Sequence, residues 1–298
     1  MEVRIVNMKF LTTIKKNIKF ILMFILGLAI FSYPMISQKF YEIKSEREVV
    51  EFVKQTKDID TKEIDRRIDL AAVYNETLDP SRIADPFTTK EKEAKAYYTQ
   101  MLEVNEMIGH IEIPRINQDL PIYAGTSDNV LEKGAGHLEG TSLPIGGNST
   151  HTVITAHRSL PNALLFRNLD QVQEGDVFYI HNIKETIAYK VISTKVVEPS
   201  KFQELLVEED KDYATLLTCT PYMINSHRLL VKGERIDYQN AIDDGVSITP
   251  SSKVDFYRLF LTIIPLVSIL VYFYGKEKLV SNKLTKEVEE FEKEQKAE

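Results

Sequence analysis

The sequence predicts a mainly β domain, a barrel or sandwich of short strands, preceded by a helical region and bracketed by an apolar span near each end. Three observations predict it. From Ile108 onward, apolar residues recur with a period of two and are cut into short runs by Gly, Pro and Asn. Residues 39–78 repeat their apolar positions at helical spacing instead. Two stretches, one near each end, are almost uniformly apolar.

The first apolar stretch, Phe20 to Ile36, reads FILMFILGLAIFSYPMI. Arg4, Lys9, Lys15, Lys16 and Lys19 precede it, and no small-x-small cleavage site follows, so an uncleaved anchor is expected rather than a signal peptide. Its length of roughly 17 residues lies near the lower limit for crossing a bilayer. In the helical region that follows, Val49, Val50, Phe52, Val53, Ile59, Ile64, Ile68 and Leu70 alternate with charged faces, and Asp79-Pro80-Ser81 breaks the pattern. Thr88 and Glu91 form a capping box that predicts a second helix toward Met101.

The strand candidates are 108–116, 120–123, 136–139, 150–156, 177–181, 185–197, 213–220 and 228–234. Short helices are expected near 127–133, 163–169 and 201–208. The second apolar stretch, Leu259 to Tyr274, reads LFLTIIPLVSILVYFY, with Arg258 before it and Lys276 and Lys278 after it. Tyr257, Tyr272 and Tyr274 mark its ends as interfacial aromatics do. Pro265 is better tolerated in a membrane helix than in a soluble one. Basic residues flank both spans on their terminal sides, which predicts cytoplasmic termini and an outward-facing middle.

Composition narrows the chemistry. The chain has 298 residues, a net charge of −7 and one cysteine. One cysteine excludes an internal disulfide, and no CxxC pair suggests zinc or thioredoxin chemistry. The six histidines lack metal-ligand spacing. The acidic balance argues against nucleic acid as a partner, and no glycine-rich phosphate loop is present.

Cys219 closes Thr215-Leu216-Leu217-Thr218-Cys219 at a predicted strand end. Arg228 follows nine positions later on the next strand, and His157 lies upstream in Thr155-Ala156-His157-Arg158. Alone, Cys219 reads as a small buried hydrophobe. Together, a thiol, an imidazole and a guanidinium are the parts of an acyl-transfer site: nucleophile, proton partner and oxyanion stabiliser. Two other cysteine chemistries fail on spacing. A phosphatase loop needs Arg six residues after Cys and a glycine-bearing cradle; papain-like proteases place Cys before His. Arg228 cannot be a base, because it stays protonated. Independent Cys and His at ordinary pKa values would leave only about 1% of the molecules as the thiolate–imidazolium pair near pH 7.5. His137 and Thr218 are candidates for the substrate groove, Thr218 through a supporting hydrogen bond. Strand alternation turns His227 away from Arg228. His110, His151 and His181 are expected to be structural or solvent-facing, and Arg158 and Arg235 to be surface charges.

The pattern TLxTC, Arg nine residues later and His in TAHR resembles the sortase family over roughly residues 45–240. Three further features resemble class C, the pilus-assembly branch. They are Asp85-Pro86-Phe87, like that class's lid motif; the C-terminal span; and GHLEGTSLPIGGNSTHTVITAHR, like the segment leading to its histidine. Ser159 departs from the pattern, where glycine is common. The resemblance implies an eight-stranded β-barrel with His157, Cys219 and Arg228 as the catalytic residues and no metal or organic cofactor. It implies a lid in which Asp85 meets Arg228 and Phe87 covers Cys219; Asp-Pro-Phe as an ordinary turn before a helix is the competing reading. It further implies cleavage of an LPXTG-like sorting signal between Thr and Gly through a thioester, and transfer to a Lys amine of a pilin subunit. Anchoring of surface proteins to cell-wall peptidoglycan and a non-catalytic membrane-tethered binding module are the alternatives. The expected organisation is a cytoplasmic N-terminus (1–19), a transmembrane helix (20–36), a helical region with the lid at 85–87 (37–105), the barrel (106–240), a linker (241–257), a second transmembrane helix (258–275) and a charged cytoplasmic tail (276–298).

Overall fold

A computed structural model describes residues 2–78, 83, 85–87 and 98–243. The expected second span, the linker beyond residue 243, the charged tail and the Thr88–Glu91 capping box lie outside the described residues.

The first element, α1 (Glu2–Lys57), runs through the apolar stretch without a break, with Pro34 inside it. Part of it is long and apolar enough to cross a membrane, and that apolar window is not buried among the described residues. Leu22, Met23, Leu26 and Ile30 are all exposed. The C-terminal part of the same helix has a different role. Val49 and Phe52 are buried against the barrel, the Ser45 hydroxyl donates to the Asp119 carbonyl at 3.3 Å, and the Tyr41 hydroxyl donates to the Lys133 carbonyl at 2.6 Å. The helical region expected as one piece over 39–78 is instead divided at residues 58–60. Asp60 caps a new helix, α2 (Thr61–Glu76), by accepting from the Lys62 N–H at 2.9 Å. Ala71 and Tyr74 give α2 its buried stripe. A single turn, α3 (Thr99–Leu102), then leads into the barrel.

Eight strands follow: β1 (Met107–Ile113), β2 (Gln118–Ala124), β3 (Ala135–His137), β4 (Thr150–Thr155), β5 (Val177–His181), β6 (Thr186–Val197), β7 (Asp212–Thr220) and β8 (His227–Ile236). They close in the order β1-β2-β3-β4-β7-β8-β6-β5, so no strand edge is left open. The helix α4 (Asp128–Lys133) links β2 to β3, and α5 (Tyr238–Asp243) follows β8. The helices expected at 163–169 and 201–208 are reduced to short 3-10 turns, Leu169–Gln171 and Gln203–Leu205.

Two apolar clusters frame the β4, β7 and β8 strands. The main core gathers Ile108, Ile122, Ile154, Phe178, Ala214, Leu216 and Val231. A smaller cluster joins Leu138, Val153, Leu205, Leu217 and Leu230, with Ile83 and Phe87 packed against it. Successive strand residues point to opposite faces. Ile154, Leu216 and Val231 therefore serve one face, and Val153, Leu217 and Leu230 serve the other.

Candidate active site

Strands β4, β7 and β8 lie side by side. β4 pairs in parallel with β7, with Thr155 opposite Leu217, and the Ala156 N–H donates to the Leu217 carbonyl at 3.3 Å. His157, two residues beyond Thr155, thus leaves the sheet at the level of Cys219. β7 pairs antiparallel with β8, and there Cys219 and Arg228 are direct register partners. Three residues far apart in the chain are assembled at one end of three neighbouring strands.

Alternation sets the face. Cys219 lies two residues from Leu217, and Arg228 two from Leu230, so both belong to the face of the smaller apolar cluster. Alternation and burial also correct two expectations. Thr218 has no exposed surface and points the other way; its hydroxyl donates to the Ala156 carbonyl at 2.7 Å. His137 is also fully buried, with Nε2 2.8 Å from the Ser142 carbonyl and Nδ1 2.8 Å from the Tyr98 hydroxyl. Neither lines a groove. Leu138, the neighbour of His137, is the residue on the site's face.

The segment Asp85–Phe87 covers this end of the sheet. Asp85 and Arg228 form a bidentate pair: Nε donates to Oδ1 and Nη2 to Oδ2, both at 2.6 Å. Their side chains are 6% and 5% exposed, so this is a desolvated pair rather than a surface one. Arg228 Nη1 donates to the carbonyls of Asn225 and His227, each at 3.0 Å. The Phe87 ring lies 5.5 Å from the His157 ring and 5.2 Å from the Arg228 guanidinium carbon. It therefore touches the two residues that flank the thiol. Cys219 itself is 6% exposed.

Burial pushes the Cys219 thiol up to about 11; Arg228 and Arg158 pull it down, and Asp85 pushes it further up. Burial also lowers the His157 pKa, opposed by the carboxylates of Asp128 and Glu132 on α4. In this arrangement both groups are held neutral. Both shifts favour the neutral thiol and imidazole over a thiolate–imidazolium pair.

Residues 111–236 match the family model described as Sortase domain. A pilus-related sortase C of Group B Streptococcus superposes with a TM-score of 0.61 at 58% identity, covering 63% of this chain and 97% of that one. The chain belongs to the sortase family.

Sortase C-1 of Streptococcus pneumoniae superposes with a TM-score of 0.63 at 53% identity, over 64% of this chain and 99% of that one. Sortase D of Bacillus subtilis (strain 168) is 28% identical over 137 residues, which are 45% of this chain and 66% of that protein. The solved neighbours are thus pilus-related class C sortases, and sortases are cysteine transpeptidases. The eight-stranded barrel expected from the resemblance is the fold observed.

Of the other histidines of the sortase, all but His227 pack into structural networks. His151 is fully buried between the Leu206 carbonyl and the Thr215 hydroxyl. His110 and His181 stack with ring centroids 4.1 Å apart. His227 is exposed, on the face opposite Arg228. Arg235 remains at the surface beside Asp212 and Glu185. Arg158 does not: it is 7% exposed and bound to Arg167, Thr220 and Asp170, against the expectation of a surface charge. Sequence reading also missed Asp128 and Glu132, whose i,i+4 spacing puts them on one face of α4. Nothing in their local sequence tied them to His157, because that proximity is created by β3 pairing with β4.

Proposed function

We propose that this sortase is a membrane-anchored cysteine transpeptidase of pilus assembly, with Cys219, His157 and Arg228 as its catalytic residues. The observation that carries the reading is the register: a thiol directly opposite a guanidinium, with an imidazole at the adjoining strand end. The 58% identity to a pilus-related sortase C supports the class.

The Cys219 thiolate attacks the carbonyl of the Thr residue in an LPXTG-like sorting signal. Arg228 donates hydrogen bonds to the oxygen that becomes negative in the tetrahedral intermediate. The C–N bond to Gly breaks, and His157 as imidazolium gives its proton to the departing amine. A neutral Lys amine of a pilin subunit then attacks the thioester carbonyl. The C–S bond breaks, the thiolate is regenerated, and the amine's proton passes to His157. The product is an isopeptide bond. No step calls for a metal or an organic cofactor.

Asp85–Phe87 is the gate. While Asp85 occupies the Arg228 donors, an oxyanion cannot, and Phe87 sits against His157. Substrate must displace the segment before chemistry begins. The N-terminal apolar half of α1 is the anchor; two spans with both termini cytoplasmic complete the proposed topology, with the catalytic domain at the cell surface. The test is incubation of the full chain in detergent with a sorting-signal peptide, followed by mass analysis. We expect an acyl adduct on Cys219 that a lysine amine discharges. A folded Cys219→Ala protein that still turns over the peptide excludes this mechanism.

A further inference from the structure

Arg158 follows His157 directly, and its buried side chain reaches the residue that directly follows Cys219. Its Nη1 donates to the Thr220 hydroxyl at 2.8 Å, and its Nε to the Arg167 carbonyl at 3.2 Å. Its Nη2 lies 2.9 Å from Asp170 Oδ1. Two other contacts join the same pair of loops. The Met223 N–H donates to Ser159 Oγ at 3.2 Å, and the Arg167 guanidinium lies 5.8 Å from the centre of the Tyr222 ring. A buried guanidinium is costly unless its donors are satisfied. Here one bond, from Nη1, ties the strand end after His157 to the strand end after Cys219, and Nε and Nη2 fix the guanidinium within the loop after β4.

The charge matters as well as the bonds. Four ionisable groups surround the thiol: Arg228 on β8, Asp85 on the covering segment, Arg158 on the loop after β4, and His157. Arg228 is already matched by a buried bidentate carboxylate. Asp170, the counterion of Arg158, is 55% exposed and screened by solvent. The positive charge of Arg158 is therefore only partly compensated, whether Asp85 is in place or not. We propose that Arg158 is a positioning residue for the reaction: it ties the two strand ends that carry His157 and Cys219, and it supplies a fixed second positive charge that favours the thiolate. This rests on the reading of Cys219 as nucleophile and His157 as its proton partner. The downward pull of Arg158 on the Cys219 pKa agrees with it.

The test uses the full chain in detergent, where Cys219 is the only thiol. Its alkylation rate by a small thiol reagent is followed from about pH 6 to 10, because only the thiolate reacts. We expect Arg158→Gln to slow alkylation about three- to tenfold at every pH in this range, the equivalent of a rise of roughly half to one pKa unit. Arg158→Lys should restore most of that rate through its charge. It should still lower kcat for sorting-peptide cleavage with KM unchanged, because an ammonium cannot bind the three partners in their planes. Asp170→Asn should speed alkylation, since it frees the Arg158 charge. Wild-type alkylation rates in a folded Arg158→Gln protein overturn the proposal. Should that variant not fold, Asp170→Asn decides: a rate equal to or below wild type overturns it. Alkylation needs no peptide turnover. A wild-type enzyme that fails to cleave the peptide therefore defeats the functional reading, while unchanged alkylation beside normal cleavage defeats this one.

Discussion

Arg228 and Cys219 are opposed in register, and the chemistry asked of each is different. The planar guanidinium offers parallel donors, two of which now bind both Asp85 oxygens. Lysine keeps the charge but loses the fork. Arg228→Lys should therefore lower kcat for peptide cleavage roughly 10²-fold or more, the usual cost of losing an oxyanion donor. Steady-state kinetics on the folded variant check this; near-normal turnover would leave Arg228 a charge-balancing role only. The thiol makes a second prediction. With its pKa pushed up to about 11, Cys219 stays protonated far above the ordinary thiol range. The thiolate fraction near pH 7.5 is then only about 3 in 10⁴. Alkylation of the resting enzyme should climb about tenfold per pH unit from roughly pH 7 to 10 instead of flattening near 8.5. A plateau near pH 8.5 would show that the thiol is exposed and unperturbed at rest.

At the scale of the element, the covering segment behaves unlike the exposed turn its three residues suggest. An exposed ion pair would contribute about 0–1 kcal/mol. The Asp85–Arg228 pair is desolvated, and removing one partner of such a pair costs about 3–5 kcal/mol if the other stays buried. Arg228 has an escape, however: the segment opens and water replaces the carboxylate. The cost of Asp85→Ala should thus appear as a larger open population and not as lost barrel stability. Phe87 is half-buried, and its truncation removes apolar burial of at most about 1.5–3 kcal/mol. Both substitutions should speed modification of Cys219 by a bulky thiol reagent, Asp85→Ala the more strongly, because it also removes an anion that raises the thiol pKa. Melting temperatures should change little. Unchanged labelling in both variants would reduce Asp85-Pro86-Phe87 to a turn.

Across the whole molecule, acid sensitivity follows from two histidines buried in the barrel wall. His137 and His151 are both lowered to about 4, chiefly by burial. Each is bonded as one neutral tautomer, with one nitrogen on a carbonyl and the other on a hydroxyl. The sign is fixed by linkage. The unfolded chain takes up these protons as pH falls through about 6.5, while the folded chain refuses them until about 4. The stabilisation is fully present above pH 6.5 and is lost between 6.5 and 4, by at most about 3 kcal/mol per histidine. Melting temperature should fall steadily from pH 7 to 4.5, and a flat profile would refute the assignment. Topology is also a whole-molecule property. External protease applied to intact cells should digest the middle of the chain and spare tags at both termini. Loss of a C-terminal tag would exclude two spans.

The sequence by itself determined the strand inventory and the identity of the catalytic candidates. Period-two alternation depends only on neighbouring residues, and every predicted strand is observed within a few residues of its expected ends. Cys219 and Arg228 were legible as a thiol and a guanidinium at neighbouring predicted strand ends, and the TLxTC and TAHR resemblance singled out His157 among the six histidines. Local signals did not reveal the division of the helical region at Asp60, where a capping aspartate outweighed continued apolar spacing. Only the tertiary structure decided which face each strand residue serves. Closure of the barrel turned His137 and Thr218 away from the site and put Leu138 and Cys219 on its face. It also decided that Arg158 is buried and that Asp85 reaches Arg228 across 143 positions of chain. Burial and long-range pairing depend on what the rest of the molecule brings alongside a residue, which its neighbours in sequence do not specify.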